Sequence, residues 1–196
     1  MRPASRLFLS ATSILAAVAP AFAHTGEGGA GGFAHGFVHP FAGIDHLLAM
    51  VAVGVVAVQL GGRAVWLLPS TFVAAMAGAG AIGMAGAPLP FVETGIGLSV
   101  VTLGAAIAAG SSPPVALAVA LIGLFALFHG HAHGAEAPDG SSGLVFAAGF
   151  LLATALLHAG GVGLGLLARA PGGRHLVRLG GALMAAAGIG VLAGLV

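Results

Sequence analysis

Three side chains that could bind a metal ion lie at helical spacing within residues 128–136, Phe-His-Gly-His-Ala-His-Gly-Ala-Glu. This stretch follows a long apolar run, and residues three or four apart in a helix share a face. A helix through it would align His129, His133 and Glu136 in one column, with His131 pointing the opposite way. Imidazole nitrogens and carboxylate oxygens bind divalent transition-metal ions at neutral pH. In a chain with so few ionisable residues, the column predicts a metal site rather than merely a polar helix end.

A second group of potential ligands lies in residues 39–46, His-Pro-Phe-Ala-Gly-Ile-Asp-His, where the first long apolar segment begins. The proline and the glycine favour a turn, and a helix is expected to begin close to Asp45. Asp45 and His46 are adjacent, so a helix directs them about 100° apart. They would need a neighbour such as His39, carried back by the turn, to complete one site. Asp45 has two alternative roles, as an acceptor that orients an imidazole or as a favourable charge at the helix N-terminus.

Four further residues are weaker candidates. Glu93 begins the third apolar segment and is predicted to be either a ligand or a helix-capping carboxylate. His158 lies roughly 20 Å along the fifth segment, where it could relay an ion or bond a backbone carbonyl. Met50 offers a thioether but suits the core, and His24 would combine an imidazole with a free amine if it became the mature N-terminus. The histidines not predicted to bind the ion are His35, His131 and His175.

The composition indicates an integral membrane protein. Of the 196 residues, 59% are hydrophobic and 6% are charged, and the mean hydropathy is +1.11; a soluble domain carries far more charge. A formal net charge of +1 provides no basic surface for nucleic acid. The absence of cysteine excludes disulfides and thiolate ligands. Neither a His-Glu-x-x-His motif nor a phosphate-binding loop is present, so we predict a protein that is not an enzyme, has no organic cofactor and does not use ATP directly.

The predicted fold is all-α, a polytopic membrane bundle of six transmembrane helices after a cleaved signal peptide. Residues 1–23 have an arginine-containing start, an apolar centre and an Ala-x-Ala ending. Residues 24–43 are predicted to be a periplasmic tether, Gly-rich and flexible, that ends in an entrance turn, and residues 44–196 the transmembrane domain. The six spans are predicted at residues 44–60, 65–87, 91–109, 115–129, 144–168 and 176–196. The fourth is short unless its helix continues through the histidines.

The distribution of charge predicts the orientation of this bundle. A cleaved signal peptide would leave the mature N-terminus outside, and six spans would return the C-terminus to the same side. The four arginines after the signal peptide then fall in inner loops, as expected for a bacterial inner membrane protein. The potential metal ligands gather at the periplasmic face. Recurrent Gly and Ala at small-xxx-small spacing predict close helix packing.

The two histidine motifs resemble those of the HupE/UreJ family of membrane proteins. The matching residues are His39-Pro-x-x-Gly-x-Asp45-His46-Leu47 and Phe128-His129-Gly130-x-Ala132-His133-Gly134-x-Glu136. His158, in Leu-Leu-His-Ala-Gly-Gly, also resembles the fifth span of the family. The resemblance covers the whole chain, with the signal peptide, six spans and both motifs in the same order. His131 occupies a variable position of the motif.

The resemblance implies a nickel permease associated with nickel-containing hydrogenases or ureases, and a functional link to their maturation proteins. The functional set carried over by the motifs is His39, Asp45, His46, His129, His133 and Glu136. Nickel itself follows from the resemblance and not from the ligands, because imidazole and carboxylate also bind cobalt, zinc and copper. Cobalt and zinc are therefore alternative substrates.

Two other functions are compatible with the residues. One is a periplasm-facing accessory protein or sensor that binds metal without transporting it, because a pore cannot be recognised in the sequence. The other, less favoured, is a haem-binding electron-transfer subunit, which needs two histidines facing each other across the bundle. Only His158 lies clearly within the predicted membrane region, which argues against haem.

Overall fold

The structure, a computed structural model, describes residues 29–138 and 141–195, and these residues form a bundle of helices. The helices are α1 (Gly29–Val38), α2 (Ile44–Leu60), α3 (Ala64–Met84), α4 (Val92–Ala109), α5 (Val115–Ala135), α6 (Ser141–Leu167) and α7 (Gly173–Leu192). A 3₁₀ turn, His39–Phe41, connects α1 to α2. The predicted signal peptide, residues 1–23, and the candidate ligand His24 lie outside the described residues.

The predicted all-helical membrane architecture is confirmed. Five helices, α3 to α7, are each long and apolar enough to cross a bilayer. Segments 32–41 and 44–60, which meet at an angle of 80°, form a sixth span when they are counted as one broken unit. α5 continues through the histidines to Ala135 and so reaches 21 residues, about the length that a ~30 Å hydrocarbon core requires.

The predicted flexibility of the tether, residues 24–43, does not hold for Gly29–Val38, which form the helix α1. Two of its glycines explain the difference. Gly32 and Gly36 face α6, and a Cβ on Gly36 would overlap the backbone carbonyl of Phe146. On α6, a Cβ on Gly149 would overlap the carbonyl of Phe33. The glycines that suggest flexibility therefore provide close contact between two helices.

Close backbone contact between α3 and α5 sets the direction in which the histidines of α5 point. A Cβ on Gly130 would overlap the carbonyl of Met76, and one on Gly134 would overlap the carbonyl of Gly80. These two α5 glycines are four residues apart, so they form a small-residue face against α3. The rest of the α5 circumference, which carries the predicted column, is left free to face the other helices.

A similar glycine contact joins α2 to α6 in the middle of the bundle. A Cβ on Gly54 would overlap the carbonyl of His158, and a Cβ on Gly161 would overlap that of Val51. The buried apolar core surrounds this crossing and includes Met50, Val53, Leu68, Phe72 and Ile122. The predicted role of small residues in packing is thus seen at several helix pairs.

The two ends of the bundle differ in the sign of their charged residues. We call the end where α2, α4 and α6 begin the histidine end, and the opposite end the arginine end. All acidic residues of the described ranges are at the histidine end: Asp45, Glu93 and Glu136. All arginines of those ranges are at the arginine end: Arg63, Arg169, Arg174 and Arg178. The bundle therefore has a charge asymmetry along its axis.

Candidate metal centre

A cluster of three potential ligands, the rim site, lies at the surface of the histidine end. His39 begins the 3₁₀ turn, His133 lies in the last turn of α5, and Glu136 directly follows that helix. His39 Nε2 donates a hydrogen bond to Glu136 Oε2 at 2.9 Å, and His133 Nδ1 lies 3.6 Å from the same oxygen. One ligand atom from each residue lies within 4.8 Å of the others. The rim site joins residues almost a hundred positions apart in the chain.

Aromatic residues of α6 hold the two imidazoles of the rim site in place. The ring of His39 lies 5.3 Å from that of Phe146 in an edge-on arrangement, and the ring of His133 lies 4.1 Å from that of Phe150. α1 packs on the same helix, which explains how a turn near the N-terminus is held against α5. The supposed tether therefore positions His39.

Glu136 is the charged member of the rim site. Its side chain is 59% exposed, and it ends α5 beside the two imidazoles. Interactions with His133 first, and also with His39, lower the pKa of Glu136 to about 2 despite partial burial. The group is therefore a carboxylate throughout the physiological pH range and attracts a cation at the surface.

A second cluster, the inner site, consists of Asp45, His46 and His129. His46 Nδ1 donates a hydrogen bond to Asp45 Oδ1 at 2.8 Å, and the backbone N–H of His46 donates to the same oxygen, also at 2.8 Å. The predicted divergence of the adjacent side chains is thus overcome by rotation of the imidazole onto the carboxylate. His46 Nε2 is buried and has no hydrogen-bond partner among the described residues.

The inner site is continuous with the rim site through His133. The ring centroids of His46 and His133 are 4.2 Å apart, and those of His46 and His129 are 4.8 Å apart. His129 is fully buried; its Nε2 lies 2.9 Å from the hydroxyl of Ser99, while its Nδ1 is without a hydrogen-bond partner in the described ranges. The spans that begin and end at the two motifs therefore converge, as the sequence predicts.

His158 lies below the inner site and is separated from it by one aromatic ring. The Phe72 ring lies 5.6 Å from His129 and 5.0 Å from His158. His158 Nδ1 donates a hydrogen bond to the carbonyl of Met50 at 2.7 Å. Its Nε2 is buried without a partner within residues 29–138 and 141–195. The structure therefore satisfies one nitrogen of this imidazole and leaves the lone pair of the other available.

The imidazoles form a file that runs from the surface into the buried interior of the bundle. The side chains of His39 and His46 are 23% and 13% exposed, whereas His129 and His158 are buried. His133, also buried, connects the first two. Buried polar atoms are ordinarily hydrogen-bonded. The lone pairs of these unpartnered nitrogens could instead be used by a cation that binds several of them.

The structure brings the remaining candidates close to these clusters but not into them. Glu93 is exposed in the first turn of α4 and lines a cavity of about 470 Å³ that Asp45 also lines. Met50 is buried in the core, where its sulfur accepts a hydrogen bond from Thr154. His131 donates to the carbonyl of Ala87 at 2.6 Å and faces away from the column, as predicted.

The two other histidines not predicted to bind the ion lie outside the clusters too. His35 is exposed on α1, with its ring 5.9 Å from that of His39. His175 is exposed at the arginine end.

Several residues of the site are not recognisable from the sequence. Ser99 contacts His129 from another helix, and Phe72 separates His129 from His158. Neither belongs to a motif with ligand spacing, and each is one of many small or apolar residues in its span. The sequence shows only a serine within an apolar segment, and this does not identify the partner of Ser99.

The comparisons with known proteins agree with the resemblance of the motifs. A model of the family described as HupE / UreJ protein matches residues 12–191. Protein HupE of Rhizobium leguminosarum bv. viciae is 47% identical to this chain over 185 residues, which is 93% of this chain and 97% of the relative. No solved structure matches the chain.

Proposed function

Because this chain belongs to the HupE/UreJ family, we propose that it imports a divalent transition-metal ion across the bacterial inner membrane. The proposed substrate is nickel, with cobalt and zinc as alternatives, and the proposed direction is from periplasm to cytoplasm. The imported ion would supply the maturation of a hydrogenase or a urease. The histidine end then faces the periplasm, and both termini lie on that side.

The observation that supports this proposal is the file of imidazoles from an exposed carboxylate to a buried histidine. Glu136 and His39 are accessible at the rim, His133 and His46 follow, and His129 is fully buried. Adjacent ring centroids along this file are between 4.2 and 4.9 Å apart. An ion that exchanges ligands one at a time can move along such a series without returning to water. A binding protein that does not transport needs only the rim site.

Capture of the ion by His39 Nε2 is expected to change the tautomer of this imidazole. His39 Nε2 donates its hydrogen to Glu136, and a nitrogen that coordinates a metal must present a lone pair instead, so the hydrogen moves to Nδ1. The carboxylate of Glu136 compensates part of the lost hydration, and His133 supplies a second imidazole. Nickel accepts such nitrogen and oxygen ligands.

The membrane potential is sufficient to drive this transport. Moving an ion of charge +2 inward through ~100 mV releases about 4.6 kcal/mol, at ~2.3 kcal/mol for each charge. This energy supports an accumulation of roughly a thousandfold, since every ~1.4 kcal/mol corresponds to a factor of ten. Coupling to a second ion is therefore not required for uptake.

The geometry weighs against the haem-binding alternative. A haem with two imidazole ligands holds the porphyrin between the rings, whereas the rings of His46, His129 and His133 contact one another directly. A requirement for His158 distinguishes a permease from an accessory protein or sensor. His158 lies beyond Phe72, too deep to contribute to capture at the rim, so only transport would need it.

Reconstitution in liposomes tests the proposal. With an inside-negative potential, radioactive nickel should accumulate in the lumen of vesicles that contain the full chain and not in empty vesicles. His158→Ala should keep surface binding and lose accumulation. His175→Ala, which removes an exposed imidazole at the arginine end, should keep both. Binding without accumulation by the unaltered protein would reject the permease in favour of the accessory protein.

A further inference from the structure

The hydroxyl of Ser99 has only one proton, and the structure shows where that proton goes. Ser99 Oγ donates to the backbone carbonyl of Ile96 at 2.6 Å. A carbonyl oxygen can only accept, so the hydroxyl hydrogen is committed to this bond. This contact, within the same helix, is common for serine in apolar helices. Toward a second partner, Ser99 Oγ can therefore act only as a hydrogen-bond acceptor, through its lone pairs.

The second partner is the fully buried imidazole of His129, whose Nε2 lies 2.9 Å from Ser99 Oγ. Since the serine proton is already used, His129 Nε2 must carry the hydrogen and donate it. A neutral imidazole has one N–H and one lone pair, so the lone pair of His129 is on Nδ1. That nitrogen is buried and has no hydrogen-bond partner in the described part of the chain. Its ring neighbour is His46.

The same reasoning applies to two other imidazoles of the file. The carboxylate of Asp45 accepts from His46 Nδ1, and the carbonyl of Met50 accepts from His158 Nδ1. In both cases the other nitrogen, Nε2, is buried without a partner within the described ranges. Acceptors that orient a ligating histidine in this way occur widely in metal sites. Ser99 differs from both because it is a side-chain hydroxyl and comes from α4, a helix that contributes none of the imidazoles.

We propose that Ser99 is a positioning residue that holds His129 in the Nε2–H tautomer and so directs the Nδ1 lone pair to the metal ion. The inference rests on the proposed function, since it assigns a role to Ser99 in the metal site. Ser99 itself does not touch the ion. Without it, His129 can turn or change tautomer, and its lone pair is then no longer held on Nδ1.

Metal affinity is the first measurement. Titration of the detergent-solubilised full chain with Ni²⁺ should show an affinity about 10–100-fold weaker for Ser99→Ala, the usual effect of removing an orienting partner. Ser99→Thr keeps a hydroxyl that can bond the same carbonyl and should restore the affinity to within about threefold of the unaltered protein. Thr154→Val is the matched control, because it removes another fully buried hydroxyl, one that contacts the sulfur of Met50.

The tautomer itself is the second measurement, and it requires no metal. In protein labelled with ¹⁵N-histidine, the nitrogen signals of His129 are identified by their absence in His129→Gln. We expect an Nε2–H tautomer in the unaltered protein and a mixture of tautomers in Ser99→Ala. An Nδ1–H tautomer in the unaltered protein, or an unchanged tautomer in Ser99→Ala, would overturn the inference.

The two proposals fail in different ways. Unaltered protein that binds no Ni²⁺ overturns the proposed function. Unaltered protein that binds Ni²⁺, together with a Ser99→Ala variant of equal affinity, overturns only the role of Ser99. An equal loss of affinity in Ser99→Ala and Thr154→Val would also overturn it, because that result indicates a general effect of losing a buried hydroxyl.

Discussion

The histidine end and the arginine end of the bundle place their polar groups in opposite environments. At the histidine end, neutral imidazoles are buried and several of their nitrogens have no partner among the described residues. At the arginine end, the cationic side chains are exposed, and three of them line a polar cavity of about 470 Å³. Exposed charge is inexpensive and orients a membrane protein. Buried, unpartnered nitrogen is costly, so its presence at the histidine end supports the metal site proposed there.

The difference between the ends also suits directional transport. In the proposed permease, the unprotonated nitrogens of the histidine end would bind the cation, whereas three arginines line the cavity at the opposite end, Arg169, Arg174 and Arg178. A cation that reached that cavity would meet water and like charge, and it would be held weakly. Strong capture at one end and weak retention at the other favour release.

The largest effect is expected from removal of an imidazole at the histidine end, compared with removal of one at the arginine end. His46→Ala deletes a ring that contacts both His129 and His133. Nickel affinity and uptake should fall by about 100-fold or more, because the loss of a ligand costs at least as much as the loss of a residue that orients one. His175→Ala deletes an exposed ring at the arginine end and should change neither. Isothermal titration and vesicle uptake measure the two quantities. Equal losses in both variants would remove the distinction between the ends.

Acidification should weaken metal binding at the histidine end before it protonates the carboxylate of Glu136. Because the pKa of Glu136 is lowered from 4.5 to about 2, its contribution to stability is complete above about 4.5 and is lost only as the pH falls toward 2. Loss of metal affinity between pH 7 and 5 must therefore come from imidazole protonation.

Nickel uptake measured across that pH range checks this prediction, with the thermal stability of the metal-free protein as a second quantity. The stability should not fall through any protonation of Glu136 above pH 5. Metal affinity that stays constant as the pH is lowered to about 3 would argue against imidazole ligands in the file.

Helix packing should respond to a methyl group added at a glycine in close contact and not to one added at a glycine that faces open space. A Cβ on Gly134 would overlap the carbonyl of Gly80, whereas a Cβ on Gly163 of α6 would meet nothing within 4 Å. Gly134→Ala is expected to destabilise the bundle by about 1–3 kcal/mol. Gly163→Ala should be neutral or stabilise it by up to about 1 kcal/mol through helix propensity. Thermal unfolding in detergent compares the two, and similar transition temperatures would contradict the close α3–α5 contact.

Most of the fold follows from local features of the sequence, because a membrane imposes simple requirements on length and polarity. The predicted spans agree with the helices to within a few residues, and α5 extends through the histidines as its length requires. The error at α1 has a physical cause. A Gly-rich segment is flexible alone, and only the presence of α6 makes Gly36 a contact residue.

The residues of the candidate site could be predicted from the sequence, but the contacts that they make between different helices could not. Helical spacing is sufficient to align His129 with His133, and the motif identifies His39 and Glu136. The pairing of His39 with Glu136 and the contact of Ser99 with His129 depend on tertiary packing. The sequence contains no periodicity that relates residues in different helices, so such partners emerge only when the bundle is assembled.

The smallest effect is expected from Arg178, which tests whether the arginine end takes part in binding at all. Arg178 is exposed, and its Nε donates to the carbonyl of Ala108 at 2.5 Å, which links α7 to the end of α4. Arg178→Ala should lower stability by about 0.5–1.5 kcal/mol, the usual value of one hydrogen bond, and leave nickel affinity unchanged. Arg178→Lys keeps the charge and separates the loss of the bond from the loss of charge. If either variant altered nickel affinity by as much as His46→Ala, the two ends would not be independent, and the basic cavity would have to be included in the metal path.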